Sequence, residues 1–369
     1  MKSTITLLLL FISVTITAQD KIYVHTVTAE NSEFNVTYLD HPDLNNKPNA
    51  GIVFSHVMNP NGGSDVLNNN LSSLTYSGSE FKWAIFNEGN VNMIIGSSYN
   101  IYITEDANVI DHVSNGANAG SFGADTSVID DSNLNGQNPG PKAIINRYWD
   151  PNAVNNLHNY GFYYDNGFGR RGIYTLDGAD IPDGAGFRVM VANNGTASYS
   201  HISIPGNSNE NFTVLDHPDL NGNPNASFVF THYWGVNGVQ SEVTQNSVFA
   251  AKYTGSFWAI AIEDGFTGIF DGLAFDIVIA PQEILGINDN ELNTSLTLAP
   301  NPSTDYITIN TTLNITKVSI YNVLGQQLKM IAGNENTSVQ INISELAQGN
   351  YFAKVEAEGS VETIQFIKK

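Results

Sequence analysis

Three stretches of this chain alternate apolar and polar positions in the same order. FKWAIFNEG (81–89), RRGIYTLDG (170–178) and FWAIAIEDG (257–265) each run as a strand into an acidic turn, and YNIYI (99–103), FRVMV (187–191) and FDIVI (275–279) follow as closing strands. A period of two is the signature of a strand with one buried face. The segments open at His25, His112 and His201, and Tyr99, Phe187 and Phe275 recur at equal intervals, so the chain is internally triplicated. Each unit holds several short strands at the spacing of a small sandwich or barrel. The pattern predicts three self-contained β-domains in line, at 21–105, 108–194 and 196–281, in preference to a single threefold assembly with a shared core.

A turn-rich motif is repeated with the strands: DHPDLNNKPNA (40–50), DDSNLNGQNPG (130–140) and DHPDLNGNPNA (216–226). Pro218 forces His217 into an extended conformation, and Asn221-Gly222 supplies the positive φ of a tight turn. The Asp and Asn side chains can satisfy backbone N–H groups of the loop itself, and that self-capping is the expected role. The same oxygens, on Asp216, Asp219 and Asn221, on Asp40, Asp43 and Asn45, and on Asp130, Asn133 and Asn135, offer calcium as the alternative. No helix-loop-helix calcium signature accompanies them, and no cofactor is expected.

Composition limits the partners. The 369 residues carry 15 Lys and Arg against 36 Asp and Glu, a formal charge of −21. Such a field repels phosphate backbones and anionic lipid surfaces, so nucleic acid is not a partner. Only 14% of residues are charged, and the polar remainder suits turns and β-surfaces. The start, MKSTITLLLLFISVTITAQD, has a basic residue, a short apolar run and small residues near Ala18, the layout of a secretory signal peptide over 1–18. The apolar run is short for a membrane span, and none is expected in the mature protein. Without cysteine, disulfides and thiolate metal sites are excluded.

The last seventy-odd residues change character. LAPNPSTDYITI (298–309), KVSIYNVLGQQL (317–328), LAQGNYFAKVE (346–356) and the ending QFIKK are strand-like runs separated by turns. Pro300, Asn301 and Pro302 fix an extended entry, Gly325 sits at a hairpin turn, and Gly349 precedes the strand that carries Tyr351. In this order the segments resemble the type A C-terminal sorting domain of the type IX (Por) secretion system of Bacteroidota, over residues 294–369. The resemblance implies an Ig-like β-sandwich and passage through the periplasm to an outer-membrane translocon. It also implies removal of the tail by a sortase-like peptidase, with 282–293 as the linker.

The repeats, over residues 21–281, resemble a family of domains of unknown function found in tandem in secreted bacterial proteins. The second repeat departs from the pattern, with Asp131-Ser132 for His-Pro and Arg171-Gly172 for Trp-Ala. Trp83 and Trp258 alternate with Ile and are expected in the core. His25, His112 and His201 are expected to be structural. By contrast, Tyr148-Trp149 and Tyr233-Trp234 stand where a strand runs out into a loop, beside Asp, Gly and Asn. Planar aromatics in that setting either stack on a sugar or close the end of their own core, and the first repeat has Val57-Met58 there. No GxSxG, HExxH or GxxxxGK[ST] motif is present, and the carboxylates Glu263, Asp264, Asp271 and Asp276 are the acidic cluster that a glycosidase pair would need.

The sequence therefore predicts an all-β protein of three tandem small β-sandwich or barrel repeats followed by an Ig-like β-sandwich sorting domain. Its destination is the outer cell surface or the extracellular space. Its role is non-catalytic binding of a glycan or another surface partner through Tyr148, Trp149, Tyr233 and Trp234. A structural spacer is the alternative, and a cryptic carbohydrate-active enzyme the third reading.

Overall fold

A computed structural model describes residues 20–104, 108–138, 140–150, 152–192, 196–235, 243–279, 296–322, 326–357 and 360–369. The expected signal peptide and the 282–293 linker lie outside the described residues. Two compact units are formed, Met1–Gln282 and Glu283–Lys369.

Each repeat contributes seven strands. The first has β1 (Lys21–Thr26), β2 (Ser32–Glu33), β3 (Val36–Tyr38), β4 (Gly51–Val57), β5 (Ser72–Ser77), β6 (Lys82–Asn87) and β7 (Ser98–Thr104). In the second these become β8 (Val109–Val113), β9 (Ala119–Gly120), β10 (Gly123–Val128), β11 (Ala143–Tyr148), β12 (Tyr160–Asp165), β13 (Arg170–Thr175) and β14 (Gly186–Val191). The third repeats them as β15 (Ser198–Ile202), β16 (Ser208–Asn209), β17 (Phe212–Val214), β18 (Phe228–Trp234), β19 (Phe249–Tyr253), β20 (Trp258–Ile262) and β21 (Ala274–Ile279).

Within a repeat the strands form a three-stranded half, β1-β7-β4 in the first, and a four-stranded half, β2-β3-β6-β5. These halves do not stop at the repeat boundary. Strand β4 pairs in parallel with β19, β11 with β5, and β18 with β12. The result is three seven-stranded sheets, each assembled from two different repeats.

Three β-sandwich repeats are thus present, but the expected row of self-contained domains is corrected: they close into a ring. The physical reason is that β4 and β5, like their counterparts, would otherwise be open sheet edges, and pairing them with neighbours satisfies their backbone groups. The sandwiches keep separate interiors around Trp83 and Tyr99, around Phe162 and Phe187, and around Trp258 and Phe275. A further cluster has two residues from every repeat: Val53 and Tyr102, Ile144 and Met190, Val229 and Val278. It marks the pseudo-threefold axis. Strands β4 and β18 are buried on both faces, toward their own sandwich and toward this axis, which is why GIVFSHV and FVFTHYW are nearly continuous apolar runs.

Beside the axis, polar side chains tie the repeats in a cycle. Asn146 Oδ1 accepts from Phe54 N–H at 2.7 Å, Ser55 Oγ accepts from Phe230 N–H at 2.9 Å, and Thr231 Oγ1 accepts from Ile145 N–H at 2.9 Å. Each bond crosses to a different repeat. The ring is closed by hydrogen bonds as well as by apolar contact.

The terminal unit is a five-stranded sheet of β22 (Thr297–Ala299), β23 (Tyr306–Asn322), β24 (Gln327–Asn342), β25 (Gly349–Ala357) and β26 (Ser360–Lys368). Register shifts between Asn310 and Lys317 bend the long pair β23 and β24, and Ile307, Ile309, Val318, Ile320 and Phe366 share one core. Asn301, between Pro300 and Pro302, accepts from Ile367 N–H at 2.9 Å and donates to Gln365 O at 3.2 Å. It clasps the entry of the domain to its last strand. Tyr351 is buried, stacks on Phe366 and donates to Ala347 O at 2.8 Å, closing the turn before Gly349. Gly325 lies outside the described residues.

Candidate functional site

The turn motifs are capped from within. Asn45 donates to Asp40 at 2.7 Å, Asn135 to Asp130 at 2.8 Å and Asn221 to Asp216 at 2.7 Å. Leu44, Leu134 and Leu220 plug the cores beneath. Further oxygens are engaged by cations: Asp43 pairs with Lys21, Asp40 with Lys82 and Asp130 with Arg170. Among the described residues no group of three or more His, Asp or Glu is arranged to hold a metal. Where the motif reads His-Pro, the imidazole stacks on a tyrosine, His41 on Tyr23 and His217 on Tyr199.

The opening histidines make one repeated bond. His25 meets Thr37, His112 meets Ser127 and His201 meets Thr213, each at 2.7 Å. Burial lowers all three pKa values to about 4, so the rings are neutral at neutral pH.

The aromatic pairs lie at the joints between repeats. Because β4, β11 and β18 run on to pair with a neighbour, their ends belong to two repeats at once. Tyr148 packs on Trp83 in the first repeat, Tyr233 is 3% exposed within the core of the second, and Val57 lies in that of the third. Tyr233, expected at a strand-to-loop surface, is therefore a core residue. One position on, alternation turns the side chain to the outer face of the neighbour's sheet. Met58 packs on Ala250 and Ala261, Trp149 on Phe86, and Trp234 on Tyr163.

Around Trp234 this becomes a groove. Phe122, Asp125, Thr126, Tyr163 and Tyr174 of the second repeat face Trp234 and Thr244 of the third around a cavity of about 210 Å³. Phe122 is 62% exposed and meets Trp234 edge-on at 5.7 Å and Tyr163 at 5.8 Å. Tyr163 donates to Asp165 at 3.0 Å, and burial holds the phenols of Tyr163 and Tyr174 above the usual range, so both stay protonated.

One departure of the second repeat makes room for this wall, and the other lies in the core behind it. Gly172 replaces the alanine of its counterparts, and a methyl there would come within 2.5 Å of the Tyr163 ring. Arg171 replaces tryptophan, packs between Phe162 and Tyr233, and reaches Asp276 at 3.6 Å. Sequence reasoning missed Phe122, Tyr163 and Tyr174, although the paired Gly172 and Tyr163 carried the signal.

The acidic cluster does not converge. Glu263 pairs with His56 at 2.7 Å, Asp276 with Lys142 at 3.3 Å, and Asp264 accepts backbone N–H groups of Phe266 and Thr267.

These features define an all-β protein of three ring-closed sandwich repeats with a separate five-stranded terminal unit. The chain belongs to the family described as "Domain of unknown function (DUF7452)", which matches residues 3–93, 73–167 and 161–279, and its end matches the "Secretion system C-terminal sorting domain" at 297–369. No curated protein matches it. Among solved structures, the N-terminal four Ig domains of Dscam1 isoform 8.4 overlay 92% of this chain and 99% of their own at 11% identity and a TM-score of 0.16. A likeness at that score carries no argument. The sorting tail makes the chain a substrate of the type IX secretion machinery, exported to the cell surface or the extracellular space. Among the described residues no helix is long and apolar enough to cross a membrane.

Proposed function

We propose that the exported three-repeat body works by binding, not catalysis, and takes a neutral glycan in the groove at Trp234. The observation that supports this reading is the groove itself: Phe122 remains 62% exposed beside Trp234 and Tyr163, with Asp125, Thr126 and Thr244 at its margin. Aromatic faces with a few polar groups are the recognition chemistry of a sugar ring. The charge of −21 favours a neutral ligand. Trp149, at the equivalent position of the preceding joint, is the secondary anchor, while Tyr148 and Tyr233 support the two tryptophans from beneath. A sortase-like peptidase cutting within 282–293 would free this body from its tail.

Binding to arrayed neutral glycans or to whole cells tests the reading. Phe122→Ala and Trp234→Ala should each weaken it about tenfold or more, and Phe122→Ala should leave Tm within about 2 °C, as befits an exposed side chain. Undiminished binding by both variants would remove the groove from the function.

A further inference from the structure

Beside the axis, three equivalent residues, His56, Arg147 and His232, line a second cavity together with Ser55, Asn146 and Thr231. Its volume is about 110 Å³, equal to roughly three or four waters. The three basic side chains differ in their partners. His56 is committed to Glu263, with Nδ1 2.7 Å from the carboxylate and both groups buried.

Arg147 is 4% exposed and has no such partner: among the described residues no carboxylate oxygen lies within 4.0 Å of it. Its terminal nitrogens donate to the carbonyls of Ser72 and His158, and its buried Nε–H has no acceptor among the described residues. Glu88 is the nearby acid: burial raises its pKa, while the Ser73 hydrogen bond and the Arg147 charge lower it.

His232 leaves a second donor unused. Its Nδ1 lies 2.9 Å from the Tyr174 hydroxyl, and no other partner for that hydroxyl is found among the described residues. The phenol satisfies both groups by donating to Nδ1, which places the ring proton on Nε2. That buried nitrogen has no acceptor either. A buried donor without an acceptor is costly, and more so on a charged guanidinium.

Two buried N–H donors of the lining, Arg147 Nε and His232 Nε2, thus have no acceptor among the described residues. We propose that the axial cavity is a binding site for a carboxylate. One guanidinium in a protein of strongly negative net charge suits a monoanion better than a phosphate dianion, and the planar fork of a carboxylate can meet two separate N–H donors. This site is distinct from the glycan groove and does not rest on it, although Tyr174 of the groove is bonded to His232 of the cavity.

Titration of the full-length protein with sodium acetate, sodium glucuronate and inorganic phosphate, at constant ionic strength against sodium chloride, tests the site. Acetate should raise Tm saturably by roughly 2 °C or more at saturation. A response to acetate alone would identify a small free carboxylate, and a response to glucuronate as well would identify a carboxylate carried on a sugar. Arg147→Gln and His232→Phe should each abolish the rise.

Arg147 also holds two backbone carbonyls, so the unmodified protein supplies the decisive readout. With nitrogen-15 arginine, the Arg147 Nε–H signal should shift with acetate, while that of Arg188, held by Asp111 at 2.7 Å, should stay fixed. An unmoved Arg147 signal, or an equal response to chloride, would overturn the assignment and leave the cavity to water.

Discussion

Asn146 of the second repeat holds Phe54 of the first by both backbone groups: its Oδ1 accepts from Phe54 N–H at 2.7 Å and its Nδ2 donates to Phe54 O at 2.9 Å. All of these atoms are buried beside the axis. Asn146→Ala strands two buried backbone groups, which costs about 2–4 kcal/mol. Thermal unfolding should show a Tm lower by roughly 5–15 °C. A loss below about 1 kcal/mol would mean that the cycle of polar bonds contributes little to ring closure.

Ring closure also predicts how a fragment behaves. Residues 196–281 alone expose the free edges of β18 and β19, which pair with β12 and β4 in the intact protein, and the axial face of Val229 and Val278. Expressed singly, this repeat should self-associate or aggregate, whereas residues 20–281 should unfold in one cooperative step. A monodisperse single repeat with dispersed amide resonances would show that the joints are dispensable.

The opening histidines set an acid limit. Their pKa values, near 4 when folded against about 6.5 when unfolded, mean that the unfolded chain binds more protons between those values. The stability they contribute is complete above pH 6.5 and is lost as the pH falls toward 4. Tm should decline across that window, and His201→Gln, which can retain a bond to Thr213, should flatten the decline. A Tm independent of pH from 7 to 5 would contradict the burial of these rings.

The repeated turns should be indifferent to calcium. Asp216 is already engaged by Asn221, so a chelator should move Tm by less than about 2 °C. Asn221→Ala, by contrast, removes the internal cap and should cost about 1 kcal/mol. A large calcium-dependent rise in Tm, lost in Asp216→Ala, would make the turns metal sites.

Export should depend on the tail and folding should not. The first unit is compact without residues 283–369, so deletion of 294–369 should leave a folded protein in the periplasm. Secretion of the truncated chain into the medium at full yield would refute the assignment.

Much of this was written in the chain locally. Period-two alternation in WAIFN and WAIAI placed Trp83 and Trp258 in cores, where they are 0% and 1% exposed, because a strand shows the same face at every second residue whatever it packs against. The self-capping of the turns was legible for a similar reason: Asn221 accepts from His217 N–H only four residues back, with no distant partner needed. The export tail was legible as an ordered set of local motifs. Tertiary structure alone decided which edges meet. The sequence of β18 does not say that Tyr233 will enter the core of another repeat while Trp234 covers its outer face, since that depends on parallel pairing with β12. Nor could Phe122, Tyr163 and Trp234, far apart in the chain, be read as one groove, or Arg147 and His232 as buried donors lining one cavity. Those properties belong to the joints of the ring, and a joint forms only when backbone edges from separate repeats satisfy one another.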